Sequence, residues 1–139
     1  MIGLDTNVLT RYYLSTADAD ADTLRQQQAA KRLLEGNQAL HVAKTVLLEL
    51  EWVMRGAYAS TREQFAGVLE HLLASPLVTV EDRLSVEAAL TAHRSGLDFA
   101  DALHHATYRN CNAMASFDDR RFARRATKLG LLPTMSVPR

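Results

Sequence analysis

Met1-Ile2-Gly3-Leu4-Asp5-Thr6-Asn7 begins the chain and decides the prediction of its fold. The first four residues are apolar apart from the glycine, Asp5 follows at once, and apolar residues recur at helical spacing over 8–14. This pattern predicts a buried strand that turns directly into a helix. In parallel α/β sheets, ligands bind beyond the carboxyl ends of the strands, which is where Asp5 would lie. Asp is also a good helix N-cap, so this stretch alone leaves a chemical and a structural role open.

The rest of the chain alternates between helical and strand-like patterns. Helices are predicted over 23–35, 45–58, 61–74 and 84–94, from Asp98 onward, and after Asp118. Strands are predicted over 39–43, 77–80 and 113–117, with a last strand or tail over 131–137. Such alternation is typical of an α/β fold in which helices cover both faces of a parallel sheet.

Composition limits the classes of protein that need to be considered. The 139 residues suit a single domain, 1–139, and 16 basic against 16 acidic residues give a formal net charge of zero. Attraction to nucleic acid or to an anionic membrane would therefore need a local patch. Cys111 is the only cysteine, which excludes an intrachain disulfide and fits a reducing compartment. Without a membrane-spanning apolar run or a signal-peptide pattern, we expect a soluble cytoplasmic protein with no membrane partner.

Acidic residues stand at two further places where the predicted elements change. Asp98 and Asp101 are three residues apart at the start of a predicted helix, so both would project from one face of its first turn. Asp118 ends the predicted strand 113–117 and repeats the strand-then-acid pattern of Asp5. A pair of acids at a helix start also occurs without any chemistry, because the helix dipole favours it. The adjacent histidines that follow are interpreted as a polar helix flank, with His105 four residues from Asp101 and able to interact with it.

Two glutamates lie on the amphipathic helix predicted over 45–58. Glu49 and Glu51 are about 200° apart around a helix, so they cannot share a face. Glu49 is expected beside the apolar stripe, next to Leu50, where an ionised carboxylate needs compensation. The alternative is a partly exposed acid at the edge of that stripe, and Glu51 is expected to face solvent.

Four of these acids, Asp5, Glu49, Asp101 and Asp118, could meet in one crevice of an α/β fold. Unpaired carboxylates crowded together repel one another, and at least one would take up a proton. A bound divalent cation removes this conflict, and oxygen ligands suit Mg²⁺ or Mn²⁺ rather than zinc. Sites of this kind act on phosphate groups.

Taken together, four stretches resemble PIN-domain ribonucleases of the VapC type, the toxin half of bacterial toxin–antitoxin pairs. They are Ile2-Gly3-Leu4-Asp5-Thr6-Asn7-Val8-Leu9, Leu47-Leu48-Glu49-Leu50-Glu51-Trp52-Val53-Met54, Asp98-Phe99-Ala100-Asp101-Ala102-Leu103 and Ser116-Phe117-Asp118. The resemblance implies that Asp5, Glu49, Asp101 and Asp118 are metal-site acids and that Asp98 assists through water. It further implies a three-layer α/β/α sandwich with a mainly parallel sheet, Mg²⁺ or Mn²⁺, hydrolysis of RNA phosphodiester bonds, a homodimer and a cognate antitoxin.

The resulting hypothesis is a metal-dependent endoribonuclease. Arg120, Arg121 and Arg124 follow Asp118 and are candidates for gripping RNA phosphates, although charge clusters are often only solvated surface. Trp52, with Tyr12 and Tyr13, offers apolar surface for a two-fold homodimer.

Two alternatives stay open at the level of sequence. One is a phosphatase resembling the haloacid dehalogenase superfamily, with Asp5 as nucleophile and Asp118-Asp119 as late metal acids. Asn7 disfavours it, because that superfamily usually has a second Asp there, and Glu49 and Asp101 would have no role. The other alternative is a non-catalytic PIN module that binds RNA or a partner protein.

Overall fold

A computed structural model describes residues 1–14 and 16–139, and of Asp119 it describes the backbone but not the side chain. Contacts between Cα atoms group the chain into two compact units, Met1–Glu81 and Asp82–Arg139. The expectation of a single domain over 1–139 stays a prediction. Within the described residues, no helix is both long enough and apolar enough to cross a membrane.

The first unit contains three short parallel strands and four helices among its described residues. In chain order they are β1 (Ile2–Gly3), α1 (Thr6–Tyr13), α2 (Ala21–Leu34), β2 (Leu40–Val42), α3 (Lys44–Ala57), α4 (Arg62–Ala74) and β3 (Val78–Val80). The strands form a sheet in the order β1-β2-β3, with Ile2 opposite Leu40 and Leu40 opposite Val78. Parallel pairing places the carboxyl ends of all three strands at one edge of this sheet.

Caps and apolar faces explain why the helices of this unit form where they do. Thr61 and Gln64 form a reciprocal capping box that begins α4, which confirms the predicted helix start there. The Asp20 side chain caps α2 by accepting a hydrogen bond from the Thr23 N–H. The core is filled by apolar side chains from all four helices: Leu9, Ala30, Leu47, Leu50, Met54, Phe65, Leu69 and Leu72.

The first strand was predicted correctly, but the prediction that it is buried was wrong. β1 is present, but Ile2 is 38% exposed and Gly3 is also exposed, while Leu4 just beyond the strand is buried. β1 lies at the edge of the three-stranded sheet described for this unit, where a strand has one neighbour and is less covered than a central strand.

The second unit is mainly helical, with one pair of parallel strands. Its elements are α5 (Arg83–Arg94), α6 (Phe99–Thr107), β4 (Ala113–Ala115), a π-helical turn (Asp119–Ala123), α7 (Arg124–Lys128) and β5 (Thr134–Ser136). β4 and β5 pair in parallel, with Ala113 opposite Thr134 and Ala115 opposite Ser136.

Two predictions about this unit need correction. The strand predicted over 113–117 is shorter and is not buried, since Ala113 and Ala115 are exposed and Phe117 is 80% exposed. A two-stranded sheet covers little surface, and the small alanine side chains have little to bury. The basic helix after Asp118 begins as a π-helical turn, in which the Ala123 N–H donates to the Asp118 carbonyl oxygen at 3.1 Å.

Candidate metal centre

Asp5 lies directly beyond β1 and caps α1. Its Oδ1 atom accepts a hydrogen bond from the Thr6 N–H at 2.8 Å, and the residue is exposed. The structural role anticipated for this residue is therefore present. That single bond occupies one lone pair, and a carboxylate offers about four acceptor sites, so capping leaves Asp5 able to bind a cation as well.

Glu49 lies on α3, which begins directly after β2. Because β1 and β2 are parallel, Asp5 and the start of α3 lie at the same edge of the first unit's sheet. Glu49 is five residues into the helix, about 7.5 Å along its axis, and is exposed.

The predicted exposure of Glu51 and the predicted place of Glu49 beside the apolar stripe were wrong, whereas the alternative of a partly exposed Glu49 is nearer to what the structure shows. The buried face of α3 consists of Leu47, Leu50, Glu51 and Met54, so Glu51 is buried and Glu49 points away from that face. Glu51 is only 8% exposed, and its Oε1 atom lies 3.2 Å from the Nε atom of Arg55 one turn later. The ion pair compensates the carboxylate that an apolar face would otherwise exclude.

In the second unit, Asp98, Asp101 and Asp118 are close enough for their charges to interact. Asp98 is the N-cap of α6 and accepts a hydrogen bond from the Asp101 N–H at 3.2 Å. Burial, followed by the negative charges of Asp98 and Asp118, raises the pKa of Asp101 above its ordinary value, and the charge of His104 opposes this shift. Within this unit, Asp101 therefore lies close enough to both Asp98 and Asp118 for their charges to act on it.

The backbone around Asp118 holds this exposed acid in place. Its N–H donates to the Ser116 Oγ atom at 3.1 Å, and its Oδ1 atom accepts from the Arg121 N–H at 3.1 Å. Ser116 in turn donates its N–H to the Ser136 carbonyl oxygen at 2.9 Å, which continues the pairing of β4 with β5. Asp118 is therefore oriented by hydrogen bonds on both sides of it.

The two histidines of α6 differ in a way that the sequence interpretation missed. His104 is exposed, as a polar flank would be, but His105 is only 3% exposed. The His105 Nε2 atom lies 2.6 Å from the Pro133 carbonyl oxygen, and its ring meets the Phe122 ring edge to face. The spacing of four residues from Asp101 was the one signal in the sequence that pointed to this histidine.

The arginines after Asp118 have different surroundings. Arg120, Arg121 and Arg124 are exposed, as expected for residues that contact RNA phosphates. Arg125 instead donates from Nη1 to the Gly96 carbonyl oxygen at 2.7 Å, so it ties α7 to the turn between α5 and α6.

The donor set fits a hard divalent cation in its chemistry, because it offers carboxylate oxygens whose repulsion a cation would relieve. Among the described residues, no three His, Cys, Asp or Glu side chains form a group that could hold a metal ion as they stand. The convergence of Asp5, Glu49, Asp101 and Asp118 stays a prediction.

Comparison with known proteins gives one match. The family model described as PIN domain matches residues 2–128, which include every candidate site residue. No curated protein and no solved structure matches the chain. The match confirms the predicted fold, an α/β/α sandwich of PIN type with a mainly parallel sheet. A match to the PIN domain also argues against the phosphatase alternative. That alternative assigned a metal-binding role to Asp119, whose side chain lies outside the described part of the chain.

Proposed function

Since the chain belongs to the PIN domain family, whose fold is of nuclease type, we propose that it is a metal-dependent endoribonuclease. The observation that carries this proposal is the placing of Asp98, Asp101 and Asp118 in one unit, where Asp98 accepts a hydrogen bond from the Asp101 N–H at 3.2 Å. Burial, and then the charges of Asp98 and Asp118, raise the pKa of Asp101. Carboxylates at the start of a helix and directly after a strand offer the oxygen ligands that a cation-binding phosphodiesterase uses.

Asp5, Glu49, Asp101 and Asp118 are the proposed ligands of Mg²⁺ or Mn²⁺, and Asp98 is proposed to act through a water molecule. PIN domains typically use such divalent metals. When bound, a metal of this kind supplies an activated water and positive charge for the phosphate oxygens. The two caps, Asp5 and Asp98, keep their carboxylates fixed through hydrogen bonds to backbone N–H groups, which limits the reorganisation needed on binding.

The reaction that we propose is hydrolysis at phosphorus. The oxygen of water forms a bond to phosphorus, the bond from phosphorus to the 3′ oxygen breaks, and the proton lost by water is balanced by one gained at that 3′ oxygen. The products are a 5′ phosphate and a 3′ hydroxyl. Arg120, Arg121 and Arg124 are exposed near Asp118 in sequence and are proposed to hold phosphates of the RNA strand.

We further propose that the protein is the toxin of a VapBC-type toxin–antitoxin pair and acts as a homodimer that a cognate antitoxin inhibits. The support is the resemblance of its four motif stretches to that group of PIN proteins. An exposed apolar surface also supports self-association, since Trp52 on α3 is 69% exposed.

A cleavage assay on RNA and DNA of the same sequence tests the enzymatic proposal. With Mn²⁺ or Mg²⁺, the purified protein should cut the RNA internally and leave 5′ phosphates, whereas EDTA should abolish cutting. Cutting in EDTA that leaves 2′,3′-cyclic phosphates would contradict metal-dependent hydrolysis. Tight binding of RNA with no cutting under any divalent metal would instead favour the non-catalytic PIN module.

A further inference from the structure

His105 is a buried polar side chain that the proposed chemistry does not use. It lies one helical turn after Asp101, and residues four apart on an α-helix share a face. An apolar residue would fill this position without needing a hydrogen-bond partner, whereas a buried imidazole requires one. The contacts of this ring therefore indicate what it does.

The first contact joins α6 to the strand pair that leads to Asp118. The His105 Nε2 atom lies 2.6 Å from the Pro133 carbonyl oxygen, and because a carbonyl can only accept, Nε2 must carry the proton. Pro133 immediately precedes β5, which pairs in register with β4. The chain leaves β4 and reaches Asp118 three residues later.

The second contact joins α6 to the π-helical turn that follows Asp118. The ring centroids of His105 and Phe122 are 5.8 Å apart, with an angle of 67° between the ring planes. Phe122 is buried, and the N–H groups on either side of it, those of Arg121 and Ala123, both donate to Asp118. π-Helical turns occur frequently at functional sites. Here the contact of Phe122 with His105 holds the turn against α6.

We propose that His105 is a positioning residue that sets the spacing between Asp101 and Asp118. Its helix carries Asp101, and its ring contacts Phe122 in the turn that follows Asp118. Its Nε2 atom lies against Pro133, which precedes the strand paired with β4, the strand that leads to Asp118. The consequence for metal binding rests on the proposed function, because Mg²⁺ demands near-ideal octahedral geometry from its oxygen ligands. Residues that orient metal ligands typically change metal affinity or activity about 10- to 100-fold when they are removed.

The first test measures amide hydrogen exchange in the metal-free protein. His105→Ala removes both contacts, and we expect the Arg121 and Ala123 amides to exchange at least about tenfold faster, as the loss of a net hydrogen bond of about 1.4 kcal/mol would give. Val86→Ala is the matched control, because Val86 is fully buried in α5 of the same unit and makes none of these contacts. It should lower global stability without a selective effect on those two amides.

A second variant separates positioning from core filling. His105→Gln keeps an amide donor near the place of Nε2 but loses the ring, and we expect it to recover part of the protection that His105→Ala loses. If His105→Ala and His105→Gln show the same protection at Arg121 and Ala123 as Val86→Ala, His105 only fills the core and the inference is wrong.

The last measurement is the Mn²⁺ affinity of the same variants, by isothermal titration at a temperature where all are folded. We expect His105→Ala to bind Mn²⁺ about 10- to 100-fold more weakly than wild type, while Val86→Ala stays within about twofold. Faster exchange with unchanged Mn²⁺ affinity would contradict a role in metal geometry. A wild-type protein that binds no Mn²⁺ would overturn the proposed function, whereas the exchange result would still decide whether His105 positions Asp118.

Discussion

At the scale of single residues, Asp5 has a visible structural role and a proposed chemical one, and one substitution separates them. Asn caps helices about as well as Asp, so Asp5→Asn should change the melting temperature of the metal-free protein by no more than about 2 °C. RNA cleavage should fall by at least about 100-fold, because a metal ligand is lost. Asp20→Asn is the control, since Asp20 caps α2 in the same unit and is no candidate ligand. Cleavage by Asp5→Asn at the rate of Asp20→Asn would leave Asp5 as a cap only.

Asp101 gives a prediction about pH. Burial, then the charges of Asp98 and Asp118, raises its pKa above the ordinary 3.8, so its ionised form destabilises the folded state once the pH exceeds that value. Asp101→Asn should therefore be as stable as wild type or more so in EDTA, by up to about 4 °C at pH 8, and this difference should shrink as the pH falls toward 4. Melting curves between pH 4 and pH 8 measure it. A difference that is largest at pH 4 would contradict the assigned cause.

Residue types and spacing predicted some of these environments and not others. The N-cap at Asp5 and the position of Asp98 and Asp101 at the start of a helix follow from local chain geometry, so the sequence predicted both. The buried environment of His105 depends on Phe122 and Pro133, which are distant in the chain. Contacts between distant residues cannot be predicted from the spacing of residues near His105.

At the scale of elements, α3 shows where a simple hydrophobic pattern fails. Its buried positions include Glu51, because the Arg55 side chain one turn later pairs with the carboxylate. A hydrophobicity scale that treats every glutamate as solvent-facing therefore places Glu51 on the exposed face of α3, although it lies on the buried face. The Glu-to-Arg spacing of four residues was the available signal, but exposed helices carry the same spacing, so sequence alone could not tell a buried pair from an exposed one.

The α3 ion pair predicts unequal effects of removing two arginines. Arg55→Ala leaves the buried Glu51 carboxylate without that partner and should lower the free energy of unfolding by about 1–3 kcal/mol. Arg25→Ala removes an exposed pair with Asp22 on α2 and should change it by about 0–1 kcal/mol. Urea unfolding of both variants provides the comparison. Equal and small effects would contradict the larger contribution assigned to the pair of Arg55 with Glu51.

The basic segment after Asp118 predicts a change in salt dependence. If Arg120 and Arg121 contact phosphates, replacing both with Ala should weaken RNA binding at low salt and reduce the slope of log affinity against log salt by about 1.4, or 0.7 for each lost contact with a single strand. The control is Arg125→Ala, because that guanidinium already donates to the Gly96 carbonyl. A double variant with the wild-type slope would remove this segment from the RNA interface.

At the scale of the whole molecule, the order of elements was predictable and burial at the strands was not. Alternating helix and strand patterns gave every described helix to within a few residues, apart from the π-helical turn, because amphipathic periodicity and caps are local signals. The exposure of β1 and β4 depends on which strands pair and at which edge, and that information is not local.

Self-association is the prediction that belongs to the whole molecule. Light scattering at micromolar concentration should give twice the 15.4 kDa chain mass, since an exposed Trp52 is typical of an interface. Trp52→Asp should shift the mass to that of one chain, and Leu84→Asp, at a similarly exposed residue on α5, should not. A monomeric wild-type protein would contradict the homodimer.

Sequencing of RNA 5′-phosphate ends, after expression of the chain without any antitoxin, tests the central claim of metal-dependent RNA cleavage most directly. We predict that new 5′-phosphate ends accumulate at recurring sites in cells that express the wild-type chain and are missing in cells that express Asp5→Asn at the same level. Identical end maps for the two proteins, or no new ends with either, would contradict the assignment of an endoribonuclease.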